Sequence, residues 1–181
     1  MHCTSPWGAS RRPDARPACW PPRSAVRGAV VARTETAMQD AIVGLEAQIT
    51  ADLSTADAVG SLFHLRLDPT SGHVVFGDAG HGLAVLVRAE GTSWALHSLD
   101  LPLGLQPESV PRSPATLDLA AGDRLVVCTE GVLALEGIRH LDDLAALVAA
   151  EPTGAAVVER VRALVPAGAA HDVTLVVLGR R

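Results

Sequence analysis

Two short segments of this chain place carboxylates beside apolar runs, where they could do chemistry. Glu130, within Thr129-Glu130-Gly131, follows a short apolar run rich in β-branched residues at positions 125–127. It stands where a strand ends, so that its carboxylate can face a site. His171-Asp172 directly precedes the last apolar run, residues 173–178. Carboxylates at strand ends supply the oxygen ligands that hard ions such as Mg²⁺ and Mn²⁺ prefer. A solvated strand-end or loop residue is the alternative at each of these positions.

Other catalytic patterns are missing from the sequence. It contains no Gly-x-Ser-x-Gly elbow and no His-x-x-x-His pair, and a phosphate-binding Gly-x-x-x-x-Gly-Lys loop is impossible because the chain has no lysine. Cys128 lies inside an apolar strand and is interpreted as a core residue. Asp142-Asp143 is interpreted as a helix start, where acidic residues favour the positive end of the dipole. The scattered His64, His73, His97 and His140 are expected at the surface.

Composition limits the classes of function. The net charge is −5 and no basic stripe appears, which argues against a nucleic-acid binder. No apolar stretch reaches the roughly 18 residues of a membrane span, so a cytoplasmic protein is expected. Hydrophobic residues make up 48% and aromatic residues 3% of the chain, which predicts one aliphatic core.

The pattern along the chain predicts a mixed fold. Residues 1–23 are rich in Pro and Arg and are expected to be a disordered or mis-assigned leader, and residues 24–181 are expected to form one domain. A helical period covers residues 24–51. Alternation then predicts an antiparallel meander from residue 62 to residue 99, followed by two strands around the Gly122 turn, two helices, and a final, fully buried strand at residues 173–178. Such an order describes an α+β sandwich.

Four segments in this order carry a resemblance to a known family. They are Ala79-Gly80-His81, the Leu101-Pro-Leu-Gly-Leu105 segment, the stretch ending in Thr129-Glu130-Gly131, and the stretch beginning at His171. The chain resembles the C-terminal two-thirds of a bacterial PPM-type serine/threonine phosphatase domain of the SpoIIE/RsbU kind. This resemblance implies an αββα sandwich with antiparallel sheets, N-terminally truncated, and a tight turn at Ala79-Gly80-His81 whose histidine supports a loop by hydrogen bonding.

The resemblance also implies a metal site built from carboxylates. Family members bind Mn²⁺ or Mg²⁺ through an early Asp-Gly motif, a Thr-Asp-Gly motif and the first Asp of Asp-Asp-x-Thr. Here the second position is Glu130 and the third is His171, with Asp172 beside it, while no counterpart of the first is found. His171 could still donate a ring nitrogen to Mn²⁺ or Zn²⁺. The implied metal ligands are Glu130, His171 and Asp172, and the implied phosphatase is weak or inactive.

Three functions therefore stay open. The chain is an active or impaired phosphatase acting on a phosphorylated regulatory protein of the anti-sigma-factor-antagonist type, a non-catalytic binder of such a protein in a sigma-factor partner-switching pathway, or a truncated gene product. Loss of N-terminal strands would leave sheet edges exposed, which predicts self-association through those edges. Neither nucleic acid nor a membrane is expected as a partner.

Overall fold

The computed structural model describes residues 37–55, 59–107, 109–169 and 171–180. The helices and strands of this part of the chain are α1 Met38–Thr55, β1 Leu62–Leu67, β2 His73–Ala79, β3 Ala84–Val87, β4 Ser93–Leu96, β5 Ala115–Asp118, β6 Arg124–Cys128, α2 Glu130–Leu133, α3 Leu141–Ala150, α4 Gly154–Leu164 and β7 Leu175–Gly179. The strands form two sheets, in the orders β1-β2-β5 and β4-β3-β6-β7.

The chain divides into two compact units. The first comprises the described residues of Met1–Leu67, Val74–Gly82 and Ser98–Leu117, and the second those of Asp68–His73, Leu83–His97 and Asp118–Arg181. The whole is a mixed α+β structure with two antiparallel sheets and helices, as the sequence predicts.

Helix α1 covers the core of the first unit. Its buried residues recur at spacings of three and four and are Met38, Ala41, Ile42, Leu45 and Ile49. The helical period in the sequence is thus confirmed from residue 38 onward. Val26, Val30 and Val31, which extended the predicted pattern, lie outside the described residues.

The two faces of β1 follow the predicted alternation. Leu62 pairs with Ala79 and His64 with Gly77, and a Cβ on Gly77 would come within 2.2 Å of Ile42 on α1. Leu62, His64 and Arg66 therefore share the face toward α1. On the opposite face Phe63 stacks on Phe76 with ring centroids 5.4 Å apart. The surface position expected for His64 is wrong, because its Nε2 is buried on the α1 face.

The second unit packs α3 and α4 on its four-stranded sheet. The core is aliphatic and consists of residues such as Val85, Val126, Leu144, Val148 and Val157, together with Cys128. Cys128 is only 2% exposed, which confirms its place as a core residue, and this burial raises the pKa of its thiol to about 11. Helix α3 begins with two acidic residues, and the Asp143 carboxylate accepts the backbone N–H groups of Arg139 and His140 at 2.9 and 3.1 Å.

Two predictions about the strands are wrong, one about pairing and one about burial. The expected meander is two hairpins in different sheets, because β3 pairs with β6 and not with β2. The two strands predicted around Gly122 are present as β5 and β6, which belong to different sheets. The last strand, β7, is an outer strand and leaves Val176 47% exposed, so it is not fully buried. Of the described helices, none is long and apolar enough to cross a membrane.

Candidate functional site

Thr129 joins the two segments that carry the predicted metal ligands. Strands β6 and β7 are antiparallel neighbours, with Cys128 opposite Leu175 at one end of the pair. Just past that end, the Thr129 N–H donates to the Thr174 carbonyl at 3.1 Å, and the Thr174 N–H donates to the Thr129 hydroxyl oxygen at 3.0 Å. The same hydroxyl donates to the Asp172 carbonyl at 3.2 Å. These bonds hold the first residue of α2 beside the loop before β7.

Gly131 allows this close approach. A Cβ at position 131 would lie 2.3 Å from the Asp172 carbonyl oxygen, a distance that no side-chain atom can occupy. The glycine of Thr129-Glu130-Gly131 is therefore required by the backbone that passes next to it. The sequence motif gave no reason for this contact.

The predicted ligands differ in exposure. Glu130 is half-buried at the start of α2, whereas His171 and Asp172 are exposed in the loop before β7. Within the described ranges, no group of three or more His, Cys, Asp or Glu side chains is arranged to hold a metal ion. The backbone segments adjoin, and the assignment of Glu130, His171 and Asp172 as ligands remains a prediction.

The donor set does not fit a two-metal centre. Such a centre needs carboxylates that bridge and flank ions roughly 3.5 to 4 Å apart. The residues at the β6 and β7 ends offer two carboxylates of unequal length and one imidazole, with no bridging aspartate among them. We derive no hydrolytic step through metal ions from this arrangement.

Asp78 is a buried carboxylate that the sequence analysis did not single out. It lies near the end of β2 and accepts the N–H of His81 at 2.7 Å and of Gly82 at 2.9 Å. Ser98 completes the turn, accepting the Gly80 N–H and donating to the Asp78 carbonyl, each at 2.8 Å. An aspartate just before a Gly-containing turn is a signal for a side chain that caps its own loop, and that signal could have identified Asp78.

The turn at Ala79-Gly80-His81 is thus structural, as the sequence analysis expected. Gly80 has a φ of +72° and a Cβ there would come within 2.4 Å of Pro102. The turn depends on the Asp78 carboxylate and on the main-chain N–H of His81, while the His81 ring lies 6.0 Å from the Phe63 ring. A catalytic role was not assigned to this histidine, and the geometry gives it a place in the fold.

Asp142-Asp143 lies in the first turn of α3, which confirms the predicted helix start. The backbone N–H groups of Arg139 and His140 hold the pKa of the Asp143 carboxyl below its ordinary value. These bonds cap α3, where an acidic side chain also meets the positive end of the helix dipole.

Comparison with known proteins identifies the family. Residues 21–181 match the family model for stage II sporulation protein E (SpoIIE). A search of curated proteins found no match to this chain.

Solved structures share the fold. The RsbU and RsbW domains of a Mycobacterium tuberculosis protein are 19% identical over 88% of this chain and 46% of theirs, with a TM-score of 0.67. The PP2C phosphatase domain and regulatory-domain fragment of Bacillus subtilis SpoIIE are 16% identical over 86% of this chain and 46% of theirs, with a TM-score of 0.69. The B. subtilis SpoIIE phosphatase domain presoaked with Mn is 14% identical over 91% of this chain and 76% of its own, with a TM-score of 0.53.

This chain spans about half the length of the first two of these structures. At these identities the structural likeness establishes the fold alone, and the match to the family model covers most of the sequence. The chain belongs to the SpoIIE family of metal-dependent PPM-type serine/threonine phosphatase domains.

Proposed function

We propose that this chain is a SpoIIE-type phosphatase domain whose own hydrolytic activity is weak or lost. The observation that carries the proposal is the make-up of the predicted ligand set. Glu130 stands where the family has the aspartate of Thr-Asp-Gly, and His171 stands where it has the first aspartate of Asp-Asp-x-Thr. Asp172 alone keeps the family's residue type.

Each replacement changes the chemistry of the position. Glutamate keeps the charge of aspartate but carries it one methylene farther from the backbone, and two ions roughly 3.5 to 4 Å apart tolerate little displacement of a flanking ligand. Imidazole is a neutral nitrogen donor, whereas Mg²⁺ and Mn²⁺ prefer oxygen. Both changes weaken the binding of the ions that would activate the attacking water.

The backbone around these positions supports impairment by ligand loss and not by misfolding. The Thr129 hydroxyl forms hydrogen bonds with the main chain of both Asp172 and Thr174. Gly131 has no side chain and so leaves room for that segment. This backbone arrangement supports the proposal of a strand-end site whose side chains differ from those of the family.

A phosphorylated regulatory protein is the proposed partner, of the anti-sigma-factor-antagonist type. The Mycobacterium tuberculosis relative joins an RsbU domain to an RsbW domain, which supports a setting in regulation by protein partners. An impaired domain could bind its phosphoprotein without hydrolysing the phosphoserine.

Hydrolysis of p-nitrophenyl phosphate by the purified full chain, in Mn²⁺ and separately in Mg²⁺, tests the proposal. We expect negligible turnover with either ion. The double variant Glu130→Asp, His171→Asp restores the family's residue types and is the matched comparison, with Asp142→Asn at the exposed start of α3 as a control. Clear Mn²⁺-dependent turnover by the unaltered chain that disappears in Glu130→Ala would overturn the impairment.

A further inference from the structure

The first unit contains a pocket of about 440 Å³ that the phosphatase assignment does not use. It is formed by the chain between β4 and β5 and is lined by Ser98, Leu99, Asp100, Leu101, Gln106, Pro107, Val110 and Ser113. None of these residues belongs to the predicted metal site.

The pocket has an apolar rim. Leu99, Leu101 and Val110 are 70%, 52% and 50% exposed, and Pro107 lies with them. Large aliphatic side chains grouped in this way at a surface mark a binding site more often than scattered ones do.

The residues that line the pocket include a buried aspartate, Asp100. Asp100 is only 8% exposed, and its two carboxylate oxygens share the Ser113 N–H at 3.2 and 3.0 Å. Among the described residues this N–H is the single donor to the Asp100 side chain. A carboxylate can accept about four hydrogen bonds, and a buried charge with one neutral donor is poorly compensated.

The neighbouring cation does not neutralise Asp100. Arg112 is buried and donates to both carboxylate oxygens of Glu46, at 3.2 and 2.7 Å. Its remaining N–H groups donate to the Leu101 carbonyl and to the Gln106 side chain. Among the described residues, the Arg112 side chain thus bonds to Glu46, Leu101 and Gln106 and not to Asp100.

The rim is held in place before any ligand binds. The Gln106 Oε1 accepts the Leu101 N–H at 2.9 Å, and the Gln106 Nε2 donates to the Pro111 carbonyl at 3.2 Å. Glu46 also accepts the Gly104 N–H at 2.8 Å, which ties the same loop to α1. A preformed pocket loses less entropy on binding than one that must order.

We propose that this pocket binds a basic side chain, arginine or lysine, of a partner protein. The aliphatic stem packs against Leu99, Leu101 and Val110, and the cationic head hydrogen bonds with the Asp100 carboxylate. Charge complementarity selects this occupant, because an anionic or purely apolar group would leave the buried carboxylate uncompensated. The proposal uses none of the predicted metal ligands and holds whether or not the chain hydrolyses phosphate.

Two capped peptides test the proposal on the full chain. Ac-Leu-Arg-Leu-NH₂ is titrated into ¹⁵N-labelled protein and compared with the same peptide carrying citrulline, which keeps the shape of arginine and lacks its charge. We expect saturable shifts of the backbone amides of residues 98–113 with the arginine peptide, and at least about tenfold weaker binding of the citrulline peptide, a difference of about 1.4 kcal/mol.

Variants locate the charge. Asp100→Asn should weaken binding of the arginine peptide by a similar factor. Asp118→Asn removes an exposed carboxylate outside the pocket and should leave that binding unchanged. Raising the ionic strength should weaken binding as well. If Asp100→Asn fails to fold, the difference in affinity between the arginine and citrulline peptides for the unaltered chain still tests the proposal.

Three results would overturn the proposal. Equal affinity for the two peptides would show that the site recognises only apolar groups. Amide shifts confined to residues outside 98–113 would show that the peptide binds elsewhere. Concentration-dependent dimerisation that Asp100→Asn abolishes would assign the pocket to an arginine of a second copy and not to a partner protein.

Discussion

A single threonine hydroxyl links the two segments that carry the predicted metal ligands. The Thr129 hydroxyl accepts a hydrogen bond from the Thr174 N–H and donates one to the Asp172 carbonyl. The backbone segments that carry Glu130 and Asp172 are therefore neighbours. The backbone positions of Glu130 and Asp172 therefore favour a site at the ends of the two strands. The identity of the side chains then decides how tightly an ion is held.

The first residue-scale prediction concerns His171. The His171→Asp variant supplies an oxygen ligand where the family has aspartate, and we expect it to tighten Mn²⁺ binding because Mn²⁺ prefers carboxylate to imidazole when other oxygen ligands surround it. Isothermal titration of Mn²⁺ into the purified chain measures the change. We expect an affinity gain of about tenfold, the effect of about 1.4 kcal/mol from one added charged ligand.

The matched control is His97→Asp, which adds the same charge at an exposed position away from these segments. It should leave Mn²⁺ affinity unchanged. An unaltered affinity in His171→Asp, or an equal gain in the control, would show that His171 is not at a metal position.

The second residue-scale prediction concerns pH. Burial on the α1 face, with the nearby Arg66 charge, lowers the pKa of His64 from 6.5. The unfolded chain therefore binds this proton more readily than the folded chain, and the stability contributed by neutral His64 is lost as the pH falls below 6.5. We expect the melting temperature to fall between pH 7.5 and pH 5.5, and to fall less in His64→Gln.

Exposed His97 is the control for this effect. In His97→Gln the fall in melting temperature should match that of the unaltered chain. A His64→Gln variant with the same pH dependence as the unaltered chain would contradict the assignment of the effect to His64.

Residue types allowed part of the site to be predicted from sequence. Glu130, His171 and Asp172 were predicted as ligands because they lie at positions that match the family's motifs, and their role stays a prediction. Asp78 was missed although the glycine-containing turn that follows it is a readable signal. Asp100 was missed because its carboxylate accepts the N–H of Ser113, which approaches from another segment. Contacts of that kind leave no spacing in the sequence to read.

At the element scale, one buried aspartate fastens the turn that leads into β6. Burial on its own raises the pKa of Asp123, but the Arg88 guanidinium and the N–H groups of Ala120 and Ala89 outweigh it and hold that pKa below its ordinary value. Arg88 lies 2.6 Å from the carboxylate and also stacks on Trp94 of β4, 5.6 Å from the ring centre. The end of β3 and the start of β6 are thereby joined through one carboxylate.

We expect Asp123→Ala to destabilise the protein by about 3 kcal/mol, because removal of one partner leaves the Arg88 charge and two backbone N–H groups poorly compensated. Chemical denaturation measures the free energy of unfolding. Asp118→Ala removes an exposed carboxylate at the end of β5, the preceding strand in the chain, and should cost far less. Equal losses in the two variants would deny Asp123 this role.

The contact at Gly131 makes a second prediction for an element boundary. Gly131→Ala places a Cβ against the Asp172 carbonyl and should separate the start of α2 from the loop before β7, lowering the melting temperature. Gly179→Ala, at the end of β7, is the control, since its nearest neighbour would be 3.6 Å away. A loss in Gly131→Ala no larger than in Gly179→Ala would show that the loop yields without cost.

The elements themselves were more predictable than their pairing. The helical period of α1 and the alternation of β1 depend on neighbours in sequence, and both predictions are confirmed. The connection at residues 80–83 resembles a hairpin loop, so nothing in it distinguishes pairing with β2 from transfer to the other sheet. The apolar run of β7 likewise matches a buried strand, although it occupies a sheet edge.

At the scale of the whole molecule, the outer strands of the sheets decide how the protein meets other copies of itself. In the described part of the chain, β7 forms one edge of the four-stranded sheet, and Val176 on it is 47% exposed. An outer strand presents unpaired main-chain N–H and C=O groups, and an apolar side chain on it favours pairing with another edge. At the other edge, Arg88 covers part of Trp94 on β4.

The last prediction follows from this edge. If copies associate through β7, Val176→Glu should reduce that association, because like charges would face each other across the paired edges and the exposed apolar side chain would be gone. Sedimentation velocity over a range of protein concentrations measures the effect. Val158→Glu, on α4 and 40% exposed, adds the same charge away from the edge and is the control. Association that Val158→Glu reduces as much as Val176→Glu would reflect net charge, and an unaltered chain that stays monomeric at every concentration would contradict association through the edge.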